Sequence, residues 1–192
     1  MVELARSELI LGGQKSGKSH RAESLARDWL AASSTHRGVL LATGQARDEE
    51  MRARIARHQA DRADRVPGLQ TVEEPLALAD ALMRCSDART LVVVDCLTLW
   101  LTNQMMPADP MQVRHGCAVD AAVEALCQAI AAATGPVVLV GNEIGLGVIP
   151  MGREVRAFVD ALGRLNQRVA TICARVTLMA AGLPLNLKDE TC

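Results

Sequence analysis

The sequence predicts an α/β fold: a mostly parallel sheet with helices on both faces. Three observations predict it. Short apolar runs alternate with longer helical stretches, each run is too short to be a helix, and most are rich in branched residues, as strands buried on both faces are. Strand and helix alternating in this way place the crossovers on the two faces of one sheet.

In chain order, Leu9-Ile10-Leu11 ends in glycines and Val39-Leu40-Leu41-Ala42 ends at Thr43-Gly44. Leu91-Val92-Val93-Val94 ends at Asp95, Val137-Val138-Leu139-Val140 at Gly141-Asn142, and Val176-Thr177-Leu178-Met179 near Gly182. Between these strands, 19–30, 48–64, 75–83, 115–133 and 152–173 read as helices. The segment 105–110, with Pro107 and Pro110, reads as a surface loop. Neither linker nor repeat divides the chain, so 1–192 is expected to form a single nucleotide-binding domain, with 188–192 as a mobile tail.

Composition narrows the function. Of 192 residues, 49% are hydrophobic and 22% charged, which provides for a core and argues against disorder. Lys and Arg total 21 against 22 for Asp and Glu, a net charge of -1, so no global field draws the protein to nucleic acid. Aromatics are 2%, too few for a base-stacking single-strand binder. The six cysteines form no C-x-x-C pair, so neither a disulfide framework nor a zinc knuckle is expected. The first residues carry charges where a signal peptide places its apolar segment, and no apolar run reaches the length of a membrane span. The expectation is a cytoplasmic protein with reduced thiols and no membrane anchor.

The strongest local signal follows the first strand. Gly12-Gly13-Gln14-Lys15-Ser16-Gly17-Lys18-Ser19 fits G-x-x-x-x-G-K-[ST] between a strand and a helix, the context a phosphate-binding P-loop requires. Glycines let backbone N–H groups converge on phosphate oxygens at a helix N-terminus. Lys18 would reach the β- and γ-phosphates, and the Ser19 hydroxyl would ligate Mg²⁺. The competing account is a glycine turn capped by serine. The motif makes the expected fold P-loop NTPase-like, with ATP or GTP and Mg²⁺ as ligands. Asp95, at the end of an apolar strand, reads either as a helix cap or as the acid that supports Mg²⁺ through a metal-bound water.

Residues 47–62 hold the densest charge cluster. One reading is a solvated helix, acids first and bases last, matched to the helix dipole. The other makes His58, flanked by Arg54, Arg57 and Arg62, a nucleophile beside polyphosphate. His20, His36 and His115 lack that setting and read as incidental. Asn142-Glu143-Ile144-Gly145-Leu146-Gly147 follows a strand. It reads either as a tight glycine turn or as a substrate-facing loop that admits a bulky ligand or a neighbouring backbone.

Four collinear segments resemble one family: the P-loop with Ala22-Glu23; Ala42-Thr43-Gly44 with Asp48 to His58; Val94-Asp95-Cys96-Leu97-Thr98-Leu99-Trp100-Leu101-Thr102-Asn103; and Asn142-Glu143-Ile144-Gly145-Leu146-Gly147-Val148-Ile149-Pro150 with Arg164-Leu165-Asn166-Gln167. The chain resembles the bifunctional adenosylcobinamide kinase / adenosylcobinamide-phosphate guanylyltransferase family over roughly Leu9 to Lys188. Gln14-Lys15 departs from the Ala-Arg commoner there, and Ser33 to Arg37 looks like an insertion. The resemblance implies phosphorylation of the aminopropanol hydroxyl of adenosylcobinamide, then transfer of GMP from GTP to that phosphate. It implies a guanylylated His58, and nucleotide contacts from Thr43, Gly44, Gln45, Gln59, Ala60, Asp61, Arg62 and Glu73. For Glu74, an acidic start to the next helix is an equal reading. The resemblance also implies a homotrimer with a corrinoid substrate. Two alternatives stand beside it: a generic P-loop small-molecule kinase in which His58 is a surface residue, and a non-enzymatic GTP-dependent switch.

Overall fold

A computed structural model describes residues 4–46, 48–107 and 116–190, with only the backbone at Arg54. The strands are β1 (Ser7–Gly12), β2 (Arg37–Ala42), β3 (Leu69–Glu73), β4 (Thr90–Asp95), β5 (Val137–Val140), β6 (Arg175–Ala180) and β7 (Leu183–Asp189). The helices are α1 (Lys18–Ala32), α2 (Glu49–Arg65), α3 (Leu78–Cys85), α4 (Leu97–Met105), α5 (Cys117–Ala132) and α6 (Arg153–Ile172). One seven-stranded sheet runs β3-β2-β4-β5-β1-β6-β7. All its pairings are parallel except that of β6 with β7. This is the expected mostly parallel α/β architecture.

Alternation along the strands builds two cores. Leu9, Leu11, Leu41, Val92, Val94 and Leu139 point to one face and pack with α3, α4, α5 and α6. Ile10, Leu40, Leu91, Val93, Val138 and Val140 point to the other and meet Ala22, Leu25 and Ala26 of α1. Both faces of the central strands are therefore apolar over these runs, which is why the runs show no period of two in the sequence. Trp100 is buried in the first core, with its indole N–H donated to the Leu76 carbonyl at 3.0 Å.

Five strands fall where the apolar runs placed them, and the structure adds three elements. β3 is an edge strand, exposed along most of its length, so Leu69-Gln70-Thr71-Val72-Glu73 carries no apolar run. β7 is the opposite edge, interrupted by Pro184, Asn186 and Lys188. Lys188 and Asp189, expected in a terminal tail, pair with Val176 and Arg175 in β7. α4 begins where the helix-cap reading of Asp95 would start a helix, with Cys96 and not Asp95 as its N-cap, although it was not among the five helices expected. Of the loop expected at 105–110 and the helix start at 115, residues 108–115 lie outside the described residues, as does Cys192.

Glu8 is a charged residue inside central strand β1. Its carboxylate is fully buried and accepts from Arg21 of α1 at 2.8 Å and from the Thr177 hydroxyl of β6 at 2.8 Å. Arg175 lies 3.8 Å away and also pairs with Asp189 of β7 at 3.0 Å. The chain of charges joins the P-loop helix to the last two strands. Removing one member strands the rest in a low-dielectric interior. Glu8→Ala should lower the free energy of unfolding by about 3–5 kcal/mol. The urea midpoint measures it, and an unchanged midpoint would show that the network is not structural.

Candidate nucleotide-binding site

The site begins with a register. β5 lies between β1 and β4, pairing Ile10 with Val140 on one side and Asp95 with Val140 on the other. Three strand ends therefore open on one edge: the P-loop after β1, Asp95 at the end of β4, and Asn142-Glu143 after β5. Backbone bonds continue past the strands, from Gly141 N–H to the Ile10 carbonyl at 3.0 Å and from Glu143 N–H to the Gly12 carbonyl at 3.1 Å.

The P-loop closes tightly on itself. Gly12 has φ 153°, and a Cβ there would stand 2.5 Å from both the Met179 carbonyl oxygen and Ser16 Oγ. Gly17, with φ 103°, is the N-cap of α1 and gives it no side-chain cap. The first N–H groups of the helix thus remain open to an anion. Lys18 Nζ donates to the Gly13 carbonyl at 2.6 Å, folded back over the loop. Burial pushes its pKa below the ordinary 10.5, against the upward pull of neighbouring Cys96 and Asp95.

The loop from Gly13 onward lines a cavity of about 930 Å³, within the range of small-molecule sites. It is bordered by Gly13 to Ser19, by Gly44 and by Glu73 at the sheet, by Met51, Ile55, His58, Gln59 and Arg62 of α2, and by Asp95, Asn142 and Glu143. Most of the nucleotide residues expected from the sequence, with His58, therefore share one space. Five do not line it, the first being Gly12 at the turn out of β1. Thr43 is fully buried, and its hydroxyl donates to the Cys96 carbonyl at 2.7 Å while accepting the Cys96 N–H at 2.9 Å. It acts as a brace between β2 and β4. Gln45 and Ala60 stand outside the cavity, and Asp61 faces Arg65 at 3.7 Å. His20, read as incidental, lines the cavity, whereas His36 stacks on Trp29 at 3.7 Å.

Asp95 is not a free carboxylate. Arg62 donates to its Oδ2 at 3.1 Å and approaches Glu23 at 3.8 Å, while Arg65 pairs with Glu23 at 3.1 Å. Glu23, on α1, is buried, and desolvation pushes its carboxyl pKa up against the downward pull of Arg65 and Arg62. Among the described side chains of α2 only that of Arg62 is buried; Met51 and Ile55 are half-covered. Ion pairs, more than apolar packing, dock this helix. Its ends follow the dipole argument, with Asp48 capping Met51 N–H at 2.6 Å, Glu49 and Glu50 first, Arg62 and Arg65 last.

The sequence signalled neither Glu23 as an anchor nor the role of α4. Asn103 Nδ2 donates to the Thr43 carbonyl at 2.7 Å and the Pro75 carbonyl at 3.1 Å. Gln104 donates to Leu76 at 2.9 Å, and the Thr98 hydroxyl accepts the Asn142 N–H at 2.9 Å. One helix thus holds the loops after β2, β3 and β5. Glu74 accepts from the Leu76 and Ala77 N–H groups at 3.1 and 2.8 Å, ordering the turn into α3.

A divalent cation bound with a triphosphate takes most of its ligands from phosphate and water. One hydroxyl at the helix start, Ser19, and one carboxylate, Asp95, both lining the cavity, fit that small demand.

The chain matches the family model for cobinamide kinase / cobinamide phosphate guanyltransferase over residues 8–187. It is 46% identical over 183 residues to the bifunctional adenosylcobalamin biosynthesis protein CobP of Pseudomonas aeruginosa, covering 95% of this chain and 98% of that one. It is 32% identical over 187 residues to the bifunctional adenosylcobalamin biosynthesis protein CobU of Escherichia coli, covering 94% and 98%. The Salmonella typhimurium protein of the same name gives the same identity over the same length.

Two outcomes test this geometry. Glu23→Gln should loosen α2, raising amide hydrogen exchange across 49–65 and costing about 1–3 kcal/mol of stability by removing the buried carboxylate that Arg62 and Arg65 share. Unaltered exchange there would refute ionic docking of α2. A lysine contacts phosphate as the ammonium, and the lowered pKa of Lys18 means that its proton is lost earlier as pH rises. ATP affinity should therefore fall on the alkaline side before an ordinary lysine titrates. In Lys18→Arg, whose charge does not titrate, that pH dependence should vanish.

Proposed function

The chain belongs to the cobinamide kinase / cobinamide phosphate guanyltransferase family, and from that premise we propose that the cavity at the P-loop serves two successive reactions on one corrinoid. In the first, the aminopropanol hydroxyl of adenosylcobinamide attacks the γ-phosphorus of ATP or GTP, and the nucleoside diphosphate leaves. In the second, GMP passes from GTP to the new phosphate, giving adenosylcobinamide-GDP and pyrophosphate.

The observation that carries this reading is that His58 shares a cavity with a complete P-loop. A kinase needs the cradle alone. An imidazole across from it adds a nucleophile able to take the nucleotidyl group. An imidazole nitrogen of His58 attacks the α-phosphorus of GTP, the bond to the bridging oxygen breaks, and pyrophosphate departs with that electron pair. A phosphate oxygen of the substrate then attacks the phosphoramidate, and the imidazole is released.

Lys18 and the N–H groups of the loop stabilise charge on the β- and γ-phosphates in both reactions. Ser19, and Asp95 through water, would hold Mg²⁺, which supplies further charge neutralisation when bound. Arg62 lines the cavity beside Asp95, one helical turn after His58, where its guanidinium can serve phosphate oxygens. Gly44, Gln59 and Glu73 surround the remaining volume and are assigned to the guanine nucleotide, with Thr43 acting from behind as a brace. Gln45, Ala60 and Asp61 complete that assignment by family resemblance.

We place the enzyme in the cytoplasm, where nucleoside triphosphates are supplied; among the described residues no helix is long and apolar enough to cross a membrane. We further propose a homotrimer. Leu183, Leu185 and Leu187 recur at every second position of the edge strand β7 and are exposed, an apolar stripe that a neighbouring copy would cover.

Incubation with GTP labelled at the α-phosphate tests the chemistry directly. The protein should acquire acid-labile, base-stable label, and His58→Ala should not. Label retained in that variant would remove His58 from the role, and a wild-type protein that never labels would leave a kinase only.

A further inference from the structure

The loop between β5 and α6 breaks the usual rule for surfaces. Ile144 is 41% exposed, Leu146 81%, Val148 96%, Ile149 79% and Met151 96%. Residues 144–152 contain no charged side chain at all. Isolated exposed apolar residues are ordinary, but five large ones in eight positions mark a surface that binds something.

Both ends of the loop are fixed. At its start the Glu143 carboxylate accepts the Gly145 N–H at 2.7 Å and lies 3.4 Å from Asn166 Nδ2, which also donates to the Asn142 carbonyl at 3.1 Å. At its end Arg156 donates to the Pro150 carbonyl at 3.0 Å and to the Met151 carbonyl. The apolar side chains are therefore presented on an anchored frame. The frame is continuous with the reaction cavity, because Asn142, Glu143 and Ile144 line it alongside Lys18 and His58.

We infer that Leu146, Val148, Ile149 and Met151 form the docking surface for the corrin ring of the acceptor. The inference rests on the proposed function and extends it to the part of the substrate that does not react. A cavity of about 930 Å³ suits a nucleoside triphosphate and has no room for a corrinoid as well. The macrocycle must then lie outside while its aminopropanol arm reaches in. A corrin presents a broad apolar ring face rimmed by uncharged amides, and the uncharged apolar loop at the cavity rim matches that chemistry. Both reactions act on the same arm, so one docking surface serves both.

The test uses the full chain with Leu146, Val148 and Ile149 each changed to Ser, and all three together. All three are exposed, so folding is not at stake. Equilibrium dialysis against cobinamide, read by its visible absorbance, measures docking. Steady-state kinetics with adenosylcobinamide measures its KM, and α-labelled GTP alone measures transfer to His58. The triple variant should bind cobinamide at least about tenfold more weakly and raise KM for the corrinoid in step. KM for ATP and labelling of His58 should not change. Unchanged cobinamide affinity would overturn the inference. So would a variant that sediments as a smaller species with corrinoid affinity intact, since the surface would then belong to a second copy. A wild-type protein that labels but binds no cobinamide would overturn it together with the corrinoid half of the proposed function. Absence of label with cobinamide binding still lost in the variant would sink the histidine chemistry and leave the docking surface standing.

Discussion

Parallel pairing of β5 with β1 on one side and β4 on the other carries three loops of different chemistry to one edge of the sheet. The P-loop, Asp95 and Asn142-Glu143 are then neighbours because their strands are, and no loop has to find its place alone. The backbone bonds that run on past the strand ends, to the Ile10 and Gly12 carbonyls, extend this register into the site itself. α4 adds a second constraint from above. Its Thr98, Asn103 and Gln104 side chains are buried, and each bonds backbone from a different loop or the turn beyond it. Buried amides left unmade would each cost on the order of 1–3 kcal/mol, so the loops are held in one arrangement relative to one another.

Against that rigid edge, α2 is secured differently. A helix docked by an apolar stripe buries several side chains in the core; α2 contributes Arg62 and the half-covered Met51 and Ile55. Its ion pairs to Glu23 and Asp95 reach the two elements that frame the phosphate cradle, α1 and β4. The electrostatic state of the cradle and the position of the helix bearing His58 are therefore linked through shared partners. A polyanion entering the cavity competes for the same guanidinium that holds the helix.

How much of this was legible follows from where each signal lives. The central strands are buried on both faces, so Leu91-Val92-Val93-Val94 and its counterparts announced themselves. β3 and β7 lie at the edges, where half the strand faces water and the composition turns polar, and they were invisible for that reason. α4 was legible only as a helix start after Asp95, because Leu97-Thr98-Leu99-Trp100-Leu101 is apolar without a clear face. It is enclosed by core on one side and loops on the others, so no polar stripe marks a solvent side. In the site, the P-loop was legible because its glycines answer to local backbone geometry. Arg62 was placed near nucleotide, but its bond to Asp95 spans 33 residues and no local pattern encodes it. Thr43 was read as a ligand-facing residue. A threonine after a strand looks the same in sequence whether its hydroxyl meets a nucleotide or, as here, the backbone of Cys96.

The size of the cavity bears on the order of events. One P-loop lines it, and its volume suits one nucleoside triphosphate, so the two proposed reactions compete for the same phosphate cradle. A direct transfer of GMP would require GTP and the corrinoid phosphate to meet there with both phosphate groups close together, which is unfavourable between like charges. The proposed transfer of the guanylyl group to His58 would divide the problem. Pyrophosphate can leave the cradle before the substrate phosphate enters, and the same N–H groups and Lys18 then receive the incoming anion. The proposed covalent histidine and a shared cradle are mutually consistent: a two-step route through an imidazole never asks this cradle to hold two polyanions together.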